Sequence, residues 1–354
     1  MRPVSNPPNP WTSEHVEWLE EPPAVELVVY EEEARSILME NSSPDVPFRY
    51  GVNPYRGCQH ACAYCYARPG HQHLGFGAGT DFDSRIVVKR NAPELLRREI
   101  LHPRMLGQWV AFSGVTDCYQ PLEASYGLTR ACLEVCEAAG APVGIITKGA
   151  LVRRDAELLR RIEEGAGARV FVSIPSVRAE TSRLIEPLVG TPAARFETIR
   201  RLTEAGVPTG VAIAPVIPGL SEPEIPEILE RAREAGASSA FMILLRLGQE
   251  VRPVFEERVR EALPLRAGRI LSALDELRAE QGGARSGFGT RMQGAGPRWQ
   301  TIEQLFSLRC RQLGYEVGEE RDPRQPASAL EPRRRPPGGG AGTSSSGQSS
   351  LFPS

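Results

Sequence analysis

Short apolar runs alternate with longer amphipathic stretches through the middle of the chain. The apolar runs are RIVVK (85–89), WVAFSG (109–114), VGIIT (143–147), RVFVSI (169–174), TGVAIAP (209–215) and AFMILL (240–245). They are brief, rich in Val, Ile and Phe, and nearly continuous in apolar character, which is how parallel strands buried on both faces read. The stretches 125–139, 155–164, 193–205 and 222–235 carry helical periodicity, and several stop at a glycine: Gly140, Gly206 and Gly236, each preceded by alanine. Strand–helix alternation on this scale predicts an α/β fold built on a parallel sheet with crossover helices. In such folds ligands bind where strands end, so the residues just after each apolar run are the candidates for chemistry.

The flanks differ. Residues 1–25 are rich in proline and acidic side chains and read as an extended arm. The segment 316–354 ends in a Pro-, Gly- and Ser-rich tail expected to be disordered, which leaves 26–315 as a core with a C-terminal extension. The chain has 354 residues, 41% of them hydrophobic, and a net charge near −2, so no global basic field gathers nucleic acid. No basic segment followed by an apolar run opens the chain, and no apolar stretch is long enough for a membrane. Seven cysteines are too few and odd in number for a disulfide framework. A reducing, cytoplasmic location is expected.

Three of those cysteines, Cys58, Cys62 and Cys65, share the run NPYRGCQHACAYCYARPGH. An iron–sulfur cube normally takes four thiolates. A compact loop that offers three leaves one iron open to a ligand that is not protein, and an open metal position is what chemistry requires. Zinc is the competing reading, with His60, His71 or His73 completing a Cys3His set.

The Cys-x3-Cys-x2-Cys spacing, with the aromatic Tyr64 before the last cysteine, resembles the cluster loop of the radical S-adenosylmethionine (SAM) superfamily. That resemblance implies a [4Fe–4S] cluster on the three cysteines, SAM chelating the fourth iron, reductive cleavage to a 5′-deoxyadenosyl radical, and a flavodoxin- or ferredoxin-type electron donor. It implies a partial (β/α)6 barrel, which fits if the first core strand lies near 46–53 and RIVVK is accessory. The ordered pieces RGCxHxCxYCYAR, SGxTDxYQPxE, TKxxLVxRD, APVIPGL and LRL, over about residues 45–315, are similar to the spore photoproduct lyase-related branch, often labelled DNA repair photolyase-like.

The strand ends supply the remaining candidates. Ser113, Thr116 and Asp117 follow the 109–114 run and, on the resemblance, grip the SAM amino group; Glu123 caps the next helix or meets ligand. Of 42 basic residues only Lys89 and Lys148 are lysine. Lys148, a compact point charge at a strand end, suits the SAM carboxylate. Ser173 reaches the ribose or bonds locally, and Pro215 and Ile217, in PVIPGL, wall the adenine. Asp155 reads as a helix N-cap. Spore photoproduct lyases carry a hydrogen-donor cysteine on the second core strand. Aligned on the Thr-Asp pair, this chain has Gly114 near that place, and Cys118 just beyond is the candidate donor. Cys132, Cys136 and Cys310 read as core. The arginines Arg56, Arg68, Arg85 and Arg90 flank the loop and suit phosphate, so the substrate is open between a nucleic-acid lesion, a small molecule and a protein. The glycine run 282–296 reads as a lid or a linker. A non-catalytic iron–sulfur or zinc protein, sensing redox state or binding a partner, is the alternative.

Overall fold

The structure is a computed structural model and describes residues 2–4, 27–43, 45, 46, 48–248, 250–279 and 292–316. Most of the expected arm, most of the C-terminal tail and most of the glycine run 282–296 lie outside the described residues; of the arm, Arg2–Val4 form a strand.

The strands in chain order are β1 (Arg2–Val4), β2 (Val28–Glu32), β3 (Leu38–Glu40), β4 (Tyr50–Val52), β5 (Tyr55–Arg56), β6 (Arg85–Lys89), β7 (Val110–Phe112), β8 (Val143–Thr147), β9 (Ala168–Ser173), β10 (Thr209–Val216) and β11 (Ser239–Leu244). They form two sheets. The larger runs β11-β10-β9-β8-β7-β4-β3. From β4 to β11 every neighbouring pair is parallel, and β3 adds an antiparallel edge on β4. The six parallel strands stand in sequence order, as crossover helices returning each time to the next strand produce. The sheet is open, with β3 and β11 at its edges, an arrangement consistent with a partial barrel. The smaller sheet runs β1-β2-β6-β5. The RIVVK run is therefore accessory, and the first core strand is β4.

The helices that cover the large sheet are those the periodicity predicts: Leu128–Ala139, Ala156–Gly165, Pro192–Glu204 and Ile225–Glu234. Gly140, Gly206 and Gly236 stand at positive φ (63°, 83° and 103°) just after three of them, a conformation that costs glycine little and other residues more. Cys132, Cys136 and Cys310 are buried in the main apolar core, as their helical positions imply.

A second apolar cluster matters more for function. Cys62, Ala63 and Tyr64 pack there with Ile185, Ile217, Leu220 and Leu245 and with Phe255 and Ile270 of the helices Val251–Ala262 and Pro264–Ala279. The cysteine loop thus sits in a packed environment of its own at the C-terminal ends of the strands. One glycine there is required by close approach: a Cβ on Gly149, just past β8, would overlap the Tyr119 carbonyl oxygen. Only a residue without a side chain lets these two strand-end loops meet.

Candidate functional site

The cysteine loop starts where β5 ends. Gly57 takes φ 79° and is hemmed in by His71, Ile86 and the Phe82 carbonyl. The Cys58 amide donates to Phe82 O at 2.9 Å, the Ala63 amide to Ile185 O at 2.9 Å and the Cys65 amide to Cys62 O at 3.2 Å. Arg68 closes the turn. Its side chain is 1% exposed, yet it finds acceptors for its whole fork. Nε and Nη2 donate to Cys62 O, Nη1 to Ala78 O and Gly79 O, and Nη2 to Asp83 at 2.9 Å. A planar five-donor group is the one cation that can gather so many carbonyls at once. Arg68 therefore shapes the loop and is not available to a phosphate. Arg85 pairs with Asp81 and Arg90 with Glu31.

All seven cysteines are free thiols. Cys58 and Cys65 both act electrostatically on Cys62, and Cys58 acts on Cys65. Burial pushes the Cys62 thiol well up, with Glu186 and the other two cysteines adding to it and Lys148 opposing. Burial likewise pushes Cys65 to about 11. Any metal must displace these protons, since the thiolate is the ligand. Among the described residues no three histidine, cysteine, aspartate or glutamate side chains converge closely enough to hold a metal ion.

Two of the three histidines weighed for zinc have other partners. His60 Nδ1 lies 3.2 Å from Asp117 Oδ2. His71 Nε2 meets Arg85 O at 2.8 Å, and its ring packs against Phe76 and Phe82. His73 is exposed.

Asp117 organises the strand ends. Its Oδ1 accepts from Thr147 Oγ1 at 2.6 Å and from the Tyr119 amide at 2.9 Å, and its Oδ2 from the Lys148 amide at 2.8 Å as well as facing His60. A carboxylate offers about four acceptor positions, and the chain itself occupies them. Burial would raise its pKa, but His60, then the Lys148 and Thr147 hydrogen bonds, hold it well below the carboxylate range. Thr116 Oγ1 donates to Gly57 O at 2.6 Å and accepts from Gln120 Nε2 at 3.1 Å. The sequence offered this pair to a ligand amine; in the structure both join the β7 loop to the cysteine loop and β8. Gln59 and Gln120, which the sequence reading missed, stitch the same seam, with the Gln59 amide on Gln120 Oε1 at 3.0 Å and the Leu122 amide on Gln59 Oε1 at 2.7 Å.

Ser113 stands at φ 83° and its hydroxyl meets the Cys118 thiol at 3.1 Å. Cys118 is 1% exposed, lies in the main core, and burial pushes its thiol well up. It does not open onto the site. Ser173 Oγ donates to Ala214 O at 2.9 Å, the local bond rather than a free hydroxyl. Ile217 is fully buried against the cysteine loop, and Pro215 is buried beside it, so neither presents a wall to ligand. Glu123 receives the Thr129 and Arg130 amides and does cap the following helix. Asp155 spends its carboxylate on Tyr119, Arg130 and Arg154 instead of capping.

Lys148 differs from all of these. Its amide is held by Asp117, while its ammonium makes no hydrogen bond among the described residues; it lies 5.6 Å from the Tyr64 ring centroid. Burial would lower its pKa, but Cys62 and Glu186 outweigh that and raise it. The site therefore brings together three thiols and one cation with donors to spare.

A profile of the Radical SAM superfamily matches residues 52–232, just over half of the 354 residues. The chain belongs to the radical SAM superfamily. An uncharacterized protein of Mycobacterium tuberculosis is 39% identical over 212 residues, covering 59% of this chain and 62% of that protein. One of Methanocaldococcus jannaschii is 31% identical over 176 residues, covering 50% and 63%. The chain thus matches about three fifths of the length of these relatives. Among solved structures, spore photoproduct lyase complexed with dinucleoside spore photoproduct superposes with a TM-score of 0.58 at 18% identity, over 81% of this chain and 80% of that one. That likeness is one of fold.

The His60–Asp117 pair makes a pH prediction for the metal-free protein. Burial lowers the His60 pKa, but Asp117 and then Cys58 outweigh it and raise it to about 10. A raised histidine contributes stability that is complete below its unfolded pKa of about 6.5 and is lost as pH climbs towards the folded value. The thermal stability of the reduced apoprotein should therefore fall between pH 7 and 10, and His60→Gln should flatten part of that slope. Identical slopes in the two proteins would show that the pair is not coupled as described.

Proposed function

We propose that this chain is a radical SAM enzyme whose Cys58, Cys62 and Cys65 hold a [4Fe–4S] cluster and whose Lys148 receives the carboxylate of SAM. The observation that carries the reading is the meeting of three loop thiols with an ammonium that has no acceptor among the described residues. The donor set fits the cluster. A single zinc needs every ligand about 2.0–2.3 Å from one point, and no such convergence is found among the described residues. A polynuclear cluster asks one thiolate per iron, and the loop offers three free thiols. When bound, the cluster and SAM supply a carbon-centred radical through one-electron cleavage of SAM. The chain's own part is to hold the loop (Arg68, Thr116, Gln120), aim Lys148 (Asp117, Thr147), and keep water from the reacting centre by the apolar packing of Ile217, Leu220 and Leu245 behind the loop. The open sheet, with its six parallel strands, supports a partial (β/α)6 barrel with its mouth at this end.

The substrate class is read from likeness alone. Spore photoproduct lyase, which shares the fold, is seen complexed with dinucleoside spore photoproduct, which favours a nucleic-acid lesion as substrate here. Cys118, from its buried place, would return a hydrogen atom only after a local opening. A small flavodoxin- or ferredoxin-type protein is the reductant this chemistry calls for, and a cytoplasmic setting suits the free thiols; among the described residues no helix is long and apolar enough to cross a membrane.

Two experiments test the reading. Anaerobic reconstitution with iron and sulfide should give a visible absorbance that Cys62→Ala abolishes; absorbance that survives the substitution would remove the cysteine assignment. Binding to single- and double-stranded DNA should weaken steeply with salt, with a log–log slope of about −0.9 per phosphate neutralised on duplex. Weak binding that does not change with salt would rule out a nucleic-acid substrate.

A further inference from the structure

Behind the cysteine loop runs a buried chain of polar contacts. Tyr64, 7% exposed, donates its hydroxyl to Glu186 Oε1. The other carboxylate oxygen of Glu186 accepts from Arg195 Nη2 and from Ser182 Oγ, the latter at 3.0 Å. Arg195 goes on to donate to Ser173 O at 3.1 Å, to Gly190 O at 2.9 Å and to Ser182 Oγ at 3.1 Å. Glu186 and Arg195 are each 1% exposed. The loop backbone is tied to the same place, through the Ala63 amide on Ile185 O.

A buried ion pair is poor evidence for stability, because desolvation offsets much of the attraction. The geometry here speaks for orientation. One oxygen of Glu186 faces the cysteine loop; the other faces the helices Ala179–Ile185 and Pro192–Glu204. Through Arg195 the carboxylate is fixed to the carbonyl at the end of β9. Through Tyr64 it fixes an aromatic ring next to Cys65, and the Lys148 ammonium lies over that ring. Hydrogen bonding of the phenol to a carboxylate enriches the ring in electrons, which strengthens a cation–π contact. Held by Asp117 at its amide and by the ring at its head, Lys148 is oriented without filling any of its three donors.

We propose that Glu186, braced by Arg195 and acting through Tyr64, is a positioning residue that holds the Lys148 ammonium in place, with its donors free, for a carboxylate-bearing ligand. This rests on the proposed function, because the carboxylate in question is that of SAM.

The test uses full-length protein, reconstituted anaerobically, as wild type, Tyr64→Phe, Glu186→Gln, Lys148→Met and the double variant Tyr64→Phe/Lys148→Met. Iron content, melting temperature and the equilibrium Kd for SAM are measured on each. Tyr64→Phe and Glu186→Gln should keep their iron and raise the Kd about tenfold or more, which corresponds to about 1.4 kcal/mol. Tyr64→Phe should leave the melting temperature nearly unchanged, and the double variant should bind no more weakly than Lys148→Met alone, the non-additivity of one shared device. A purely structural role would lower melting temperatures and leave the Kd where it was, and that result overturns the proposal. Should Glu186→Gln fail to fold, Tyr64→Phe decides, since it removes one hydroxyl and leaves the ion pair intact. A wild-type protein that carries a cluster and binds no SAM overturns the proposed function and this inference together; wild-type binding with unchanged variants overturns the inference alone.

Discussion

Asp117 is the constraint on which the site depends. One carboxylate, folded into the ends of β7 and β8, takes donors from its own loop, from Thr147, from the Lys148 backbone and from His60 of the cysteine loop. Without it the three segments have no shared reference point. With it, the Lys148 ammonium stands at the strand ends with no hydrogen bond among the described residues. A carboxylate saturated by hydrogen bonds is rigid and stays charged, and rigid groups make better scaffolds than ligands.

The same logic recurs around the loop. Arg68 gathers the Cys62, Ala78 and Gly79 carbonyls on one fork, and Thr116 with Gln120 closes the seam towards β7. Glu186 and Arg195 do on the β9 side what Asp117 does on the β8 side. The thiols and Lys148 are thus held from several directions before any cofactor enters. Pre-ordering of this kind keeps the entropy of organising the loop out of the binding step.

The fold and the cysteine triad were both legible in the chain, for different reasons. Buried parallel strands must be apolar along their length, so β8, β9 and β10 announce themselves, and glycine stops such as Gly140 mark where helices turn back. β4, three residues long, has no such signal, and the resemblance alone placed a strand there. The triad is local in sequence, and its spacing is itself the message. The roles of Thr116, Asp117, Ser173 and Ile217 were harder to read. Position at a strand end predicts nearness to ligand, but whether a side chain faces ligand or a neighbouring loop is decided by partners far along the chain, as Ser173 with Ala214 and Asp117 with Thr147 demonstrate. Arg68 and the Tyr64–Glu186 contact carried no signal at all, since their partners are set by tertiary packing. Lysine scarcity did carry one. In a chain that writes nearly every cation as arginine, Lys89 is buried and held near 8 by burial with Arg56 adding, and Lys148 is half-buried at the site.

The central claim is that three thiolates and an oriented lysine serve to break one bond in SAM. Its most direct test is product analysis after anaerobic reconstitution, with dithionite as reductant and SAM as the sole added ligand. Methionine and 5′-deoxyadenosine should appear in equal amounts, at a rate that falls when Lys148 is replaced by Met. A protein that holds a reduced cluster, binds SAM and yields no 5′-deoxyadenosine would contradict the account.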